Sequence, residues 1–186
     1  MDNYIRVYDN TLDSQTCRHY INLIENSSKR IGGFMNKDSQ SIIDTDVKLS
    51  EDLNFSLLFP KETKDLLLLF SNIFEKYEND INTRLNIQSC EYLVGRVYRK
   101  GKGHYKQHID CYSSKTITRC LSILLYLNDV NKGGELKFSN QGLDIKAKEG
   151  RIVVFPSYWM YKHGAEIPLD TDRYMIRTFM SLINYE

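Results

Sequence analysis

Residues 103–112 read GHYKQHIDCY, and how these ten positions are interpreted decides the rest of the chain. Two histidines and an aspartate, His104, His108 and Asp110, crowd together here. In a β-strand, residues i and i+2 point to the same side. If the segment is extended, His108 and Asp110 project together while Ile109 faces away. One imidazole and one carboxylate on a common face supply two donors of a three-donor facial metal site, and the third must arrive from elsewhere in the fold.

Besides His104, the remaining histidines are His19, within a predicted helix, and His163, in WMYKHGAEIP (159–168) after an apolar strand. His163 is the better partner, because a barrel brings two strand ends to one mouth. Two histidines and one carboxylate, with three coordination positions left open, suit a non-haem Fe(II) oxygenase. The plain alternative is a polar strand end, since a lone His-x-Asp triplet arises often by chance. A zinc reading would pair His104 with His108 at i, i+4, a spacing that needs a helix. Gly101 and Gly103 precede that pair and no glutamate follows His104 directly. Cys111 and Cys120 match no common zinc spacing. His104 is expected on a turn in solvent.

The 186 residues fit one domain with a substantial core. Lys and Arg number 25 against 24 Asp and Glu, so no charge excess points to nucleic acid as a partner. The longest apolar runs, DLLLLF (65–70) and LSILLYL (121–127), are too short to span a bilayer. The opening MDNYIRVYDN lacks a basic-then-apolar pattern, which predicts a cytoplasmic protein. Its four cysteines show no CxxC pairing and read as reduced thiols.

The first third reads as helical. Asp13 and Ser14 can cap a helix carrying Cys17, Tyr20, Ile21 and Ile24. A second helix is predicted to start near Pro60, with Leu66, Leu69, Phe70, Ile73, Phe74 and Tyr77 recurring at three and four residues. Between them, KRIGGFMNKDSQSIIDTDVKLSED (29–52) is polar and turn-rich, a loop with little regular structure. Residues 28–58 would make a natural lid. From residue 88 the texture changes to short segments rich in β-branched and aromatic residues, separated by NDVNKGG, SNQG and KEG. Six or more such strands imply a sandwich or barrel with the helices on one face. The division expected is one domain, 1–186, with 1–87 as mainly helical support and loop and 88–186 as the β core.

The C-terminal half resembles the prolyl 4-hydroxylase-like branch of the Fe(II)/2-oxoglutarate-dependent dioxygenases. The matching pieces are VYRKGKGHYKQHID (97–110), LSILLYLNDVNKGGELKF (121–138), AKEGRIVVFPS (147–157) and KHGAEIPLDTDRYMIRTF (162–179), in the family's order. YIRVYDNTLDSQTCRHYINLI (4–24) is similar to that family's first strand and helix. The resemblance implies a double-stranded β-helix (jelly-roll, cupin-like) core, mainly β with flanking helices. It implies Fe(II), 2-oxoglutarate and O2, with ascorbate as a further candidate, and hydroxylation of a prolyl residue in a peptide or protein. Succinate and carbon dioxide would be the other products.

By the same resemblance His108, Asp110 and His163 hold the metal. Arg173, ten residues after His163, binds the far carboxylate of 2-oxoglutarate, since guanidinium stays charged when buried and pairs bidentately. Arg177 shares its face and is the second choice for that carboxylate, or a substrate contact. Tyr98 adds a hydroxyl, although it lies ten residues before His108 where the family usually has nine. Ser122 is a further cosubstrate candidate, and Tyr105, Arg119, Trp159 and Phe179 are substrate candidates, with Tyr161 at the entrance. Packing alone also accounts for Phe179 and Trp159. Met175 and Leu136 depart from the family pattern without touching the metal donors. The rival readings are the same chemistry on another amino-acid residue or a small molecule, and a catalytically silent jelly-roll binding module.

Overall fold

The computed structural model describes residues 4–35, 40–87 and 89–182. Asp13 caps the first helix as its composition predicts, accepting a hydrogen bond from the Thr16 amide at 2.8 Å, and α1 runs Ser14–Glu25. The helix predicted at Pro60 is α3, Pro60–Asp80, and a short α2, Phe55–Leu58, precedes it. Proline tolerates the first turn because its missing N–H has no intrahelical acceptor there.

Two antiparallel sheets face each other. The major sheet runs β1 (Arg6–Tyr8), β13 (Arg151–Pro156), β10 (Arg119–Tyr126), β15 (Arg173–Ser181), β8 (Val94–Tyr98), β6 (Glu51–Asn54) and β2 (Arg30–Ile31); β7 (Ser89–Cys90) pairs with the end of β15. The minor sheet runs β12 (Leu143–Ile145), β11 (Leu136–Phe138), β14 (His163–Ala165), β9 (His104–His108) and β5 (Lys48–Leu49). A separate hairpin joins β3 (Phe34–Met35) to β4 (Ser41–Ile42). This is the jelly-roll expected, with sequence-distant strands made neighbours.

The major sheet is buried on both faces, which explains why LSILLYL reads as an unbroken apolar run. Ile123 and Leu125 turn outward to the helices, joining Cys17, Tyr20 and Ile24 of α1 and Leu66, Phe70 and Ile73 of α3. Leu124 and Tyr126 turn inward, where Tyr98, Val153, Phe155 and Met175 meet Leu136 and Phe138 of the minor sheet. The period of two thus assigns alternate residues to a helix-facing core and to an interior between the sheets.

The segment expected to be a loop is a correction. Residues 30–31, 48–49 and 51–54 are paired strands, and β6 lies against β8 with Asp52 opposite Arg96. Strands of two to four residues are too short to display alternation, so nothing in the composition could reveal them. The segment expected to be a lid is thus paired into the two sheets at 30–31 and 48–54, while its β3–β4 hairpin pairs with neither; residues 36–39 of that expectation lie outside the described residues. The N-terminal part accordingly contributes strands to both sheets as well as helices.

Candidate metal centre and its cavity

β9 and β14 are antiparallel neighbours, and their register places His163 directly opposite His108. Asp110 follows β9 by two residues, in a bend where the strand ends. One donor atom from each of His108, Asp110 and His163 lies within 4.8 Å of the others. The Asp110 carboxylate sits 3.5 Å from Nε2 of His108 by one oxygen and 3.5 Å from Nε2 of His163 by the other.

Backbone oxygens fix the two rings. Nδ1 of His108 lies 2.9 Å from the Lys106 carbonyl, and Nδ1 of His163 lies 2.9 Å from the Tyr161 carbonyl. A carbonyl can only accept, so each Nδ1 carries the proton and each Nε2 presents its lone pair inward. Burial, aided by the neighbouring His108, lowers the His163 pKa to about 4, which keeps it a neutral donor. Burial pushes Asp110 the other way, yet His163, His108 and the Ser122 hydroxyl outweigh it and hold the carboxyl far below the usual range. Two imidazoles and one carboxylate converging on a common point form a donor set that fits a divalent metal with open positions.

The donors line one part of an open cavity of about 270 Å³ between the sheets. Arg173 lines another part, 1 % exposed. Its guanidinium stacks 4.2 Å from the Tyr98 ring and donates to the Gly134 carbonyl, while its Nε has no hydrogen-bond partner. Among the described residues no carboxylate pairs with it. Burying a cation costs several kcal/mol unless an anion accompanies it. The position is therefore built for an acid group. Tyr98 is opposite Arg173 in the β8–β15 ladder despite the ten-residue spacing to His108. A tight turn at 99–103 absorbs the extra residue: Gly101 has φ +75, and a Cβ on Gly103 would meet the Arg99 backbone at 2.5 Å.

Other expected residues fall elsewhere. Ser122 is fully buried and donates to Asp110 at 2.6 Å while bonding Ser157 at 2.9 Å, so it positions the carboxylate and does not line the cavity. Trp159 is 71 % exposed on a single 3-10 turn (Trp159–Tyr161) and does not line the cavity. Tyr161 is buried in the core between the sheets. Arg119 reaches the wall but is engaged bidentately by Glu91 at 2.6 and 2.9 Å, and donates to the Asp110 carbonyl at 3.2 Å. Tyr105 stacks on His108 with ring centroids 3.5 Å apart, and Phe179 and Arg177 both face the cavity. His104 begins β9 instead of lying on a turn, with both ring nitrogens near backbone carbonyls. His19 lies on α1, 3.5 Å from Glu62, and takes no part.

Wall residues that escaped the sequence reading include Tyr126, Lys48, Asp52 and Arg96. Tyr126 had a signal, since it shares the face of Leu124 on β10 and so looks inward with it. The others did not, because Asp52 meets Arg96 only through the β6–β8 register.

Residues 94–181 match the model of the 2OG-Fe(II) oxygenase superfamily. That stretch, just under half of the chain, carries the pattern of that superfamily and contains all three metal donors. The match supports Fe(II), 2-oxoglutarate and O2 as its reactants, and the His108, Asp110 and His163 donor set fits such a metal. No curated protein matches the chain by sequence. Solved structures similar to this oxygenase include a Trichoplax adhaerens prolyl hydroxylase in complex with a hypoxia inducible factor oxygen degradation domain peptide fragment. That match has a TM-score of 0.76 at 19 % identity, over 96 % of this chain and 84 % of that one. The viral collagen prolyl hydroxylase of Paramecium Bursaria Chlorella virus-1 has a TM-score of 0.70 at 18 % identity, over 97 % of both chains. A Pseudomonas putida prolyl-4-hydroxylase has a TM-score of 0.69 at 16 % identity, over 96 % and 93 %. These likenesses establish the fold. Among the described residues no helix is long and apolar enough to cross a membrane.

Proposed function

We propose that this oxygenase hydroxylates a prolyl residue in a peptide or protein while converting 2-oxoglutarate to succinate and carbon dioxide. The observation that carries the reading is the pairing of two features in one cavity: a two-imidazole, one-carboxylate donor set, and a buried guanidinium with no acid of its own. In this reading His108, Asp110 and His163 hold Fe(II), which when bound supplies the redox chemistry that inserts one oxygen atom into a C–H bond. Arg173 takes the far carboxylate of 2-oxoglutarate, assisted by Tyr98 and flanked by Tyr126. Ser122 and Arg119 hold Asp110 in place by its side chain and its carbonyl. Tyr105, stacked on His108, borders the space where the target carbon would lie. The likeness to three prolyl hydroxylases, one holding a peptide, supports the choice of substrate. Ascorbate, as an external reductant, belongs to the same proposal, as does treating 1–186 as one catalytic domain. The four free cysteines fit the reducing cytoplasm.

The test begins without oxygen. Adding Fe(II) and 2-oxoglutarate to the protein should produce a visible charge-transfer band that His108→Ala and Asp110→Ala both lose. In air, mass spectrometry of proline-containing peptides should then show a gain of one oxygen. A band and succinate release with no gain on any prolyl peptide would move the target to another residue or a small molecule.

A further inference from the structure

Beside the metal centre, the cavity wall carries more positive charge than the proposed reaction uses. Six of its charged lining residues are cations, Arg30, Lys48, Arg96, Arg119, Arg173 and Arg177, and two are carboxylates, Asp52 and Asp110. Asp110 belongs to the donor set and Arg173 to the cosubstrate. Asp52 is consumed by Arg96, bidentate at 2.8 and 2.7 Å, and by Lys48 at 3.2 Å. Glu91, behind the wall, is consumed by Arg119.

Among the described residues Arg177 is the buried cation left over, since Arg30 is exposed. Its side chain is 14 % exposed, and its nearest acid is Glu91 at 4.0 Å, beyond hydrogen-bonding distance. Both Nε and Nη1 are buried without a hydrogen-bond partner. The group is nevertheless held still, 4.6 Å from the Phe179 ring, which Arg119 also covers at 3.8 Å. Burial, Arg96 and Arg119 lower its pKa to about 10, so it remains a cation at neutral pH. Arg177 lies four residues from Arg173 on the same face of β15, about 13 Å along the strand at roughly 3.3 Å per residue. A single molecule of 2-oxoglutarate held by Arg173 and the metal donors does not extend along the strand to that second cation.

We propose that the substrate itself carries a carboxylate, which docks on Arg177 beside the carbon to be hydroxylated. A buried guanidinium to which no acid is hydrogen-bonded matches one monovalent, planar acid group and offers it a bidentate pair. A phosphate, with close to two negative charges, would need a second cation turned toward Arg177, whereas Lys48 and Arg96 are turned to Asp52 and Arg119 to Glu91. This inference rests on the oxygenase reading, and in the prolyl case it specifies a peptide with an acidic side chain next to the target proline.

Labelled peptides that differ only at that neighbour, Glu against Gln, are titrated by fluorescence polarisation against the anaerobic Fe(II)–2-oxoglutarate enzyme and its Arg177→Gln variant. A free N-acyl glutamate and its amide, added as competitors, separate a peptide side chain from a small carboxylic acid as the source. The acid should bind at least about tenfold more tightly than the amide. Arg177→Gln should erase that difference while the charge-transfer band still saturates at the same 2-oxoglutarate concentration. Equal binding of acid and amide to the unaltered enzyme, or no binding of any acidic probe, overturns the proposal. So does a variant whose only defect is weaker 2-oxoglutarate binding, which would assign Arg177 to the cosubstrate. Exchanging the central proline for alanine tests the prolyl reading separately: oxygen gained by the alanine peptide, or none gained by the proline peptide that shows the acid preference, sinks that reading and leaves the carboxylate site standing.

Discussion

A hydroxyl buried against a carboxylate does different work from one that meets a diffusible acid, and Ser122 is of the first kind. With its Oγ 2.6 Å from Asp110 and 2.9 Å from Ser157, it orients a donor it never replaces. Outer-shell partners of this sort typically contribute 10- to 100-fold in metal affinity. Ser122→Ala should therefore weaken Fe(II) binding by about tenfold while the 2-oxoglutarate requirement stays put, which titration of the charge-transfer band would resolve. Arg173→Met should do the opposite, raising the 2-oxoglutarate KM on the order of 100-fold with Fe(II) affinity little changed, because truncating one member of a buried charge pair costs about 2–5 kcal/mol. Equal effects of the two substitutions on both ligands would show that the cavity is not divided as described. At this scale the metal donors were legible because coordination chemistry demands particular side chains and strand parity put two of them on one face. Ser122 was misjudged because facing the interior and facing the cavity look alike in a strand pattern. Only the packing of the two sheets, which brings Asp110 past the end of β9 against Ser122 on β10, shows that Asp110 intercepts it.

At the scale of elements, α1 packs on the major sheet at a point where β8 offers no side chain. A Cβ on Gly95 would lie 3.1 Å from Ile24 of α1 and 3.1 Å from Leu53 of β6. Gly95→Val adds bulk to an interface already closed, and overpacking of this kind costs about 1–3 kcal/mol. Urea unfolding should show the midpoint falling with the slope unchanged; a midpoint at the original value would mean that the helix can move away without cost. The two long helices could be read from sequence because their apolar stripes repeat for three turns or more. The strands of the 30–54 segment could not, since a pair of residues has no period. Their conformation comes from the ladders they join, β2 on β6, β6 on β8 and β5 on β9, which are properties of the assembled sheets.

Across the whole molecule, distant segments are tied by a charged cluster outside the cavity. Arg99 of the β8–β9 turn pairs with Glu25 at the end of α1, Glu51 of β6 and Asp172 just before β15, and Tyr174 also donates to Glu25. Hydrogen bonding from Arg99, against an opposing burial effect, lowers the Glu25 pKa from 4.5 to about 2. A depressed carboxylate stabilises the fold fully above its unfolded pKa and loses that contribution as pH falls through the folded one. Stability should thus decline between about pH 4.5 and 2, and Glu25→Gln should flatten that part of the curve while lowering stability at pH 7. Parallel curves for the two proteins would remove Glu25 from the account. The general architecture was open to sequence reading because four motifs stand in a fixed order. The cluster was not, as its members lie more than seventy residues apart in two of the three ion pairs and nothing local marks them.

Lys48 and Leu49 lie in one layer, Glu51 to Asn54 in the other, and only Ser50 stands between them. A seam one peptide unit wide leaves the layers no slack to part along that margin. At the opposite margin the chain passes from β12 to β13 through residues 146–150, a longer and more forgiving bridge. Covalent geometry thus fixes the spacing of the two layers beside Lys48 more closely than at the far margin, where five residues make the crossing. Lys48 and Asp52, on either side of that seam, are therefore wall residues held in place by the backbone as well as by their ion pair.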